Sequence, residues 1–126
     1  NWCPVAMAHL KLLVKYYNGQ IVVSSTWRHD YSLRQLKELF ENNGLPGKFV
    51  IGVTPSLIHE NSGSANRGDE IRRWVSENLY TEEIPRYAIL DDMDEGLSRF
   101  GERFIQCDPK VGLADKEKVK RVAGLV

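Results

Sequence analysis

YAILDD, residues 87–92, is a short apolar run that ends directly in two carboxylates. QIVV at residues 20–23 has the same form and ends in three hydroxyl side chains, those of residues 24–26. Neither run alternates apolar with polar side chains, so both are typical of strands that are buried on both faces. Such strands belong to parallel sheets covered by helices, which makes these two runs the decisive evidence for the fold class.

Segments with helical periodicity separate the strand candidates. Pro4 suits the first turn of a helix, which we expect to run to about Tyr17. Further helices are predicted with Leu33 and Phe40 on one apolar side, from about Arg67 onward, and over residues 114–125. Other short strands are predicted at residues 48–51 and 103–106. The alternation of strands and helices predicts a three-layer α/β domain with a mostly parallel sheet.

Composition excludes several classes of protein. The chain has 126 residues, enough for one domain, and its 17 Lys and Arg balance 17 Asp and Glu. This balance argues against a polybasic nucleic-acid binder but not against a local basic groove. Apolar residues make up 42% and charged residues 27%, as in ordinary globular proteins. No apolar run approaches a membrane span, and no signal peptide is visible.

Two cysteines, Cys3 and Cys107, are too few for a disulfide-stapled secreted scaffold. We therefore expect free thiols and a cytoplasmic location. The chain begins at Asn1 without an initiator methionine, so we expect a fragment, a processed chain or a sequence that lacks its start.

Polar side chains follow the predicted strands at the edge where parallel sheets bind ligands. Asp91 and Asp92 would repel each other there, and Mg²⁺, which prefers carboxylate, water and phosphate oxygens, would relieve that repulsion. The alternative is an acidic turn, Asp91 to Asp94, that caps a short following helix. Both interpretations stay open from the residues alone.

Three further candidates carry hydroxyl groups or positive charge. Residues 24–26 could hold a phosphate at a strand–helix junction or form a polar turn. Arg67 lies at a helix start, where a bound anion would offset the unfavourable helix dipole. Its alternative role is a solvated arginine balanced by Asp69 and Glu70. Arg28 could reach a phosphate or stack on Trp27. Histidine spacing fits no zinc site, and no dinucleotide, P-loop or serine-hydrolase motif occurs.

The order of three segments resembles the haloacid dehalogenase (HAD) superfamily of phosphatases. These segments are IVVSSTWR at 21–28, RGDEIRRW at 67–74 and YAILDD at 87–92, and FIQCDPKVGL at 104–113 fits as well. The resemblance is strongest to the small HAD domain of RNA-repair proteins, related to the phosphatase domain of polynucleotide kinase-phosphatase. It implies a Rossmann-like fold and Mg²⁺-dependent hydrolysis of phosphomonoesters. The chain length leaves no room for a large cap domain.

The resemblance also implies roles for individual residues. Ser24 would bind the transferring phosphoryl group and Arg67 would neutralise its charge, so both are candidate catalytic residues. Ser25 and Arg28 would contact phosphate or substrate, and Asp91 and Asp92 would anchor Mg²⁺. We expect the polar loop at residues 52–66 to act as a partial lid or a substrate contact.

The family's nucleophile is the first aspartate of a DxD pair that ends a strand ahead of the first helix. This chain has no such pair before Trp2. We therefore predict that residues 1–126 form a single HAD-like domain without its first strand. Its expected function is hydrolysis of a phosphorylated nucleotide or polynucleotide end by a nucleophile outside the sequence. The alternative is a catalytically inactive HAD-like binding or scaffolding module.

Overall fold

The computed structural model describes residues 2–24, 30–55, 66–79, 85–107 and 112–126. In these ranges the helices are α1 (Pro4–Tyr16), α2 (Leu33–Asn42), α3 (Arg67–Asn78) and α4 (Lys116–Ala123). The strands are β1 (Ile21–Val23), β2 (Val50–Val53), β3 (Ile89–Asp91) and β4 (Phe104–Gln106). Short 3₁₀ segments at Gly47–Phe49, Ser98–Arg103 and Gly112–Ala114 precede β2, β4 and α4. None of the described helices is long and apolar enough to cross a membrane.

All strand pairing in the described residues is parallel. β1 pairs with β2, with Ile21 opposite Val50, and β3 pairs with β4, with Ile89 opposite Phe104. The prediction of an α/β fold with parallel strands and no large cap is confirmed for the described ranges. The strands form two separate pairs there, β1–β2 and β3–β4, rather than one continuous sheet.

Helix α1 packs on both strand pairs. Met7 and Val14 belong to an apolar cluster with β1 and β2, whereas Leu13 belongs to a second cluster with Ile105 of β4. Leu10 contacts both clusters. One helix therefore covers both pairs, and burial of its apolar face fixes their relative position.

Helix α3 makes a second connection between the pairs. Ile71 packs in a third apolar cluster with Ile89 of β3 and Leu97. On the side of β2, a Cβ built on Gly52 would lie 3.9 Å from Trp74 Nε1, an ordinary van der Waals contact. This packing places the N-terminus of α3 beside the C-terminal end of β3.

Two strands start two residues later than the sequence predicts, for reasons of packing. The strand predicted at 48–51 begins only at Val50, because Gly47–Phe49 forms a 3₁₀ turn. The Gly47 backbone lies so close to α2 that a Cβ there would be 2.9 Å from Lys37 O. The strand predicted at 87–90 begins at Ile89, since the Tyr87 carbonyl instead accepts a hydrogen bond from Arg103 Nη1 at 3.3 Å.

Candidate functional site

A buried ion pair lies where α3 starts and β3 ends. Arg67 is the first residue of α3 and Asp91 the last of β3, and Arg67 Nη1 donates a hydrogen bond to Asp91 Oδ2. Arg67 Nε also lies 3.3 Å from Glu95 Oε2. The side chains of Arg67 and Asp91 are only 12% and 8% exposed. A charged arginine is therefore held between two carboxylates and largely out of water.

The environment of Arg67 favours its charged form. Burial opposes the charge on the guanidinium, but the hydrogen bond with Asp91 and the charges of Asp91, Glu95 and Asp92 together outweigh it. The pKa of Arg67 is consequently raised above its ordinary value. This arginine therefore stays a fixed cation.

Backbone contacts fix the orientation of Asp91. Its second carboxylate oxygen, Oδ1, accepts a hydrogen bond from Met93 N at 3.0 Å. Its carbonyl oxygen accepts one from Cys107 N at 2.8 Å, which continues the β3–β4 pairing. Asp92 is exposed, and its carbonyl oxygen accepts a hydrogen bond from Gln106 Nε2 at 3.2 Å. One carboxylate of the pair is thus buried beside Arg67, and the next faces solvent.

The acidic-turn interpretation expected residues 91–94 to cap the short helix that follows them. In the structure, Asp94 makes these capping contacts. Its Oδ1 accepts hydrogen bonds from Leu97 N at 2.9 Å and Ser98 N at 3.1 Å. The hydrogen bond from the Ser98 backbone lowers the pKa of Asp94 below its ordinary value. Asp94 therefore organises the turn after β3, whereas the Asp91 carboxylate pairs with Arg67 and Asp92 is exposed.

A capping box starts α3 and places Arg67. The Asn66 side chain accepts a hydrogen bond from Asp69 N at 3.1 Å, and the Asp69 carboxylate accepts one from Asn66 N at 3.0 Å. The alternative role for Arg67, solvated and balanced by Asp69 and Glu70, is wrong. Arg67 is buried against Asp91, Asp69 pairs with Arg99, and the Glu70 side chain is itself buried.

Ser24 follows β1 directly and is half-buried at its C-terminal end. Beside it, Thr54 N donates a hydrogen bond to Val23 O at 3.0 Å, which extends the β1–β2 pairing by one residue. Ser25 and Arg28, the predicted phosphate or substrate contacts, lie outside the described residues. So does most of the predicted lid, residues 56–65.

Cys107 follows β4 directly and lies close to Asp91, but its environment does not activate it. Burial raises the pKa of the Cys107 thiol, with the charge of Asp91 acting in the same direction. Its Sγ lies 3.6 Å from the Ile105 carbonyl oxygen. Both Cys107 and Cys3 are free cysteines. A neutral thiol of this kind is a poor nucleophile at pH 7.

Comparison with known protein families identifies the family of the chain. The model of the family described as "HAD domain in Swiss Army Knife RNA repair proteins" matches residues 1–118. The chain belongs to this family. No curated protein and no solved structure matches the chain. The resemblance to HAD domains of RNA-repair proteins is thereby confirmed, and membership supports a phosphatase-like role of the HAD type.

The HAD superfamily implies a magnesium ion, so the oxygen donors of this domain are the groups that would hold it. In the described ranges no group of three or more His, Cys, Asp or Glu side chains could hold a metal ion by itself. Mg²⁺ commonly takes only one or two protein carboxylates and completes its shell with water and phosphate oxygens. Asp91 and Asp92 fit that partial role, because both supply hard oxygen donors at the end of β3.

Sequence analysis did not identify two residues of the site. Glu95 is the second carboxylate on Arg67, and Arg99 binds Asp69 at 2.8 Å. The pattern Asn66-x-x-Asp69 carried a signal of the capping box that starts α3. The contacts of Arg99 have no comparable signal, because they join residues about 30 positions apart.

Proposed function

We propose that this HAD domain takes part in the Mg²⁺-dependent hydrolysis of a phosphomonoester at a nucleotide or polynucleotide end. The reaction passes through an aspartyl-phosphate whose nucleophile lies outside residues 1–126. The observation that carries the proposal is the buried Arg67–Asp91 pair at the C-terminal end of β3. It puts a permanent cation beside a carboxylate at the edge where parallel α/β sheets bind ligands.

The roles follow from the charge that phosphoryl transfer must manage. Arg67 neutralises the phosphoryl oxygens, and Ser24 donates its hydroxyl hydrogen to one of them, since positioning and charge neutralisation do most of the work in this reaction. Ser25 and Arg28 are proposed as further phosphate or substrate contacts. Asp91 and Asp92 would hold Mg²⁺, which when bound polarises the phosphoryl group.

Two carboxylates of the site, those of Asp91 and Asp94, are poorly suited to attack phosphorus. Asp94, in the DxD formed with Asp92, accepts two backbone hydrogen bonds in the turn after β3. Asp91 is paired with Arg67 and also accepts a hydrogen bond from Met93 N. These contacts support a nucleophile supplied by another segment of the protein.

The division into two strand pairs supports a place for that segment. A parallel strand ahead of α1 would enter the sheet next to β1 through a right-handed strand–helix–strand connection. Because α1 packs on both pairs, a strand between β1 and β3 would also be covered by α1. Its C-terminal end would then lie between Ser24 and Asp91, where an attacking aspartate is needed.

The substrate class follows from the open edge and the family. The described residues include no large cap, and small substrates usually need one to exclude water from the site. A polynucleotide end needs an open site, and the family's description names RNA repair proteins. Zero net charge leaves only local basic groups for backbone contacts, among them the exposed Arg72 and Arg73 on α3.

The test uses the full natural protein that contains this domain. Oligoribonucleotides with a single 5′- or 3′-phosphate are incubated with and without Mg²⁺, and released phosphate is measured. We expect Mg²⁺-dependent release that Arg67→Ala lowers by about 10³-fold, as removal of a charge-stabilising group does. Arg34→Ala is the matched control, because that arginine is 90% exposed and forms a surface ion pair with Glu38.

Two results contradict the proposal. Undiminished hydrolysis by Arg67→Ala would remove the site from the mechanism. Binding of the phosphorylated oligonucleotide without any turnover by the full protein would favour the catalytically inactive binding module instead.

A further inference from the structure

Arg99 joins the start of α3 to the turn that follows β3. Its Nη1 donates to Asp69 Oδ1 at 2.8 Å, its Nη2 to Asn66 Oδ1 at 3.0 Å and its Nε to Gly96 O at 2.8 Å. Asn66 and Asp69 are the two members of the capping box, and Gly96 belongs to the turn. One guanidinium thus binds three acceptors on two separate segments.

The backbone of the two segments is in direct contact beneath Arg99. Gly68 N donates a hydrogen bond to Glu95 O at 3.0 Å. The turn is itself fixed, because Asp94 accepts the hydrogen bonds of Leu97 N and Ser98 N. The contacts of Arg99 therefore lie on the outer side of a closely fitted junction.

Arg67 depends on both segments of this junction. Its backbone belongs to the first turn of α3, between Asn66 and Asp69. Its side chain ends at Asp91 and at Glu95, which is part of the turn. A shift of α3 against the turn would change the distance from Arg67 to both carboxylates at once.

We propose that Arg99 is a positioning residue for Arg67. It holds the Arg67 side chain in place at the phosphate-binding edge and does not contact substrate itself. The inference rests on the proposed function. Arg99 and Asp69 are 35% and 36% exposed, so as an ion pair they contribute little to global stability. The geometric effect is larger, because a displacement of about 1 Å in an active site lowers the rate by about 10²-fold.

The side-chain chemistry predicts which substitutions rescue the function. Lysine keeps the charge of Arg99 but offers one ammonium instead of a planar fork that reaches three acceptors. Arg99→Lys should therefore be intermediate between the natural protein and Arg99→Ala. An electrostatic effect of the bare charge would instead leave Arg99→Lys fully active.

A double-mutant cycle in the full natural protein tests the inference. The variants are Arg99→Ala, Arg99→Lys, Arg67→Lys and Arg67→Lys with Arg99→Ala, and Arg34→Ala is the exposed control. Both kcat/KM on the phosphorylated oligoribonucleotide and the thermal midpoint are measured for each. We expect Arg99→Ala to lower kcat/KM by about 10- to 100-fold, mainly in kcat, at temperatures where it is fully folded.

The cycle separates positioning from general stability. If Arg99 acts through Arg67, then Arg67→Lys already removes the arginine that Arg99 positions. Adding Arg99→Ala to Arg67→Lys should then lower kcat/KM little further, so the effects of the two substitutions are strongly non-additive. The inference alone would be overturned if the double variant lost kcat/KM by the product of the two single losses. It would also be overturned if Arg99→Ala kept the natural kcat/KM. Because lysine also carries the charge, an Arg67→Lys variant with natural kcat/KM would overturn only the inference, whereas an Arg67→Ala variant with natural kcat/KM would overturn the proposed function as well. Should Arg99→Ala fail to fold, Arg99→Lys provides the same cycle.

Discussion

Gly68 lies against Gly96 so closely that position 68 has no room for a side chain. A Cβ on Gly68 would be 2.4 Å from the Gly96 carbonyl oxygen, and a Cβ on Gly96 would be 2.5 Å from Asn66 Nδ2. Gly96 also has φ +78°, a conformation that favours glycine. Backbone contact between α3 and the turn after β3 thus lies beneath the Arg99 contacts, at the same junction that holds Arg67 near Asp91 and Glu95.

Gly68→Ala should therefore lower the free energy of unfolding by about 1–3 kcal/mol, the usual cost of overpacking. The obstructing atom is backbone, so it cannot move aside as a side chain would. Gly124→Ala is the matched control, because a Cβ there would meet its nearest atom, Arg121 O, at 3.6 Å. Urea denaturation measures both. Equal stability of the two variants would show that the junction is looser than its geometry indicates.

Leu97→Ala should cost about 2–5 kcal/mol, in the range for fully buried leucines. Leu97 is 0% exposed and packs with Ile71 of α3 and Ile89 of β3, so its loss opens a cavity under the same junction. Leu12→Ala on α1 is the control, since Leu12 is 66% exposed and should change stability by less than about 0.5 kcal/mol. A small effect at Leu97 would mean that the cluster collapses to fill the space.

The sequence was most informative where local patterns decide the structure. Apolar runs and the residues that end them located β1 and β3 and singled out Ser24, Arg67 and Asp91. The pairing of Arg67 with Asp91 could not be predicted in the same way, because it joins residues 24 positions apart and depends on how α3 packs. Asp69 is closer to Arg67 in the sequence and was the more obvious candidate partner, but its side chain pairs with Arg99 instead.

Strand length and grouping were also beyond the sequence. Gly47–Phe49 has strand-like neighbours but forms a 3₁₀ turn, because the Gly47 backbone contacts α2. The grouping of the described strands into two pairs depends on contacts between residues far apart in the chain, which no local pattern encodes. The roles of Ser25 and Arg28 stay predictions, since these residues lie outside the described part of the chain.

Acid should weaken the turn after β3 through Asp94. Backbone hydrogen bonds lower the pKa of Asp94 from its ordinary 3.8, so its stabilising contribution is complete above that pH. Asp94 loses its contribution to stability as the pH falls from 3.8, its ordinary pKa, through the lower pKa that it has in the folded protein. Asp94→Asn keeps an oxygen acceptor for the same N–H groups but does not titrate.

We therefore expect Asp94→Asn to resemble the natural chain at pH 7 and to lose less stability between pH 5 and about pH 2.5. Urea midpoints across this range measure the difference. Glu102→Gln, at an exposed position, removes one carboxylate elsewhere and is the control. Identical acid sensitivity of the natural chain and Asp94→Asn would show that other carboxylates account for the pH dependence.

Mg²⁺ should raise the thermal midpoint of the natural protein, and Asp91→Asn should abolish that increase. A ligand that binds only the folded state stabilises it by mass action, so Mg²⁺ at ten times its Kd would add about 1.4 kcal/mol, or about 3–5 °C. The orientation of Asp91 is already fixed by Met93 N and Arg67, so this side chain loses less conformational entropy than the exposed Asp92 when it binds Mg²⁺. Asp92→Asn should reduce the shift less than Asp91→Asn does.

The comparison is made within each variant, with and without Mg²⁺ at matched ionic strength. This removes the separate effect of Asp91→Asn on the Arg67 ion pair, which lowers the midpoint in both conditions. Glu102→Gln should keep the full Mg²⁺ shift. If Asp91→Asn keeps it as well, Mg²⁺ binds elsewhere on the protein, and Asp91 serves only to hold Arg67 in place.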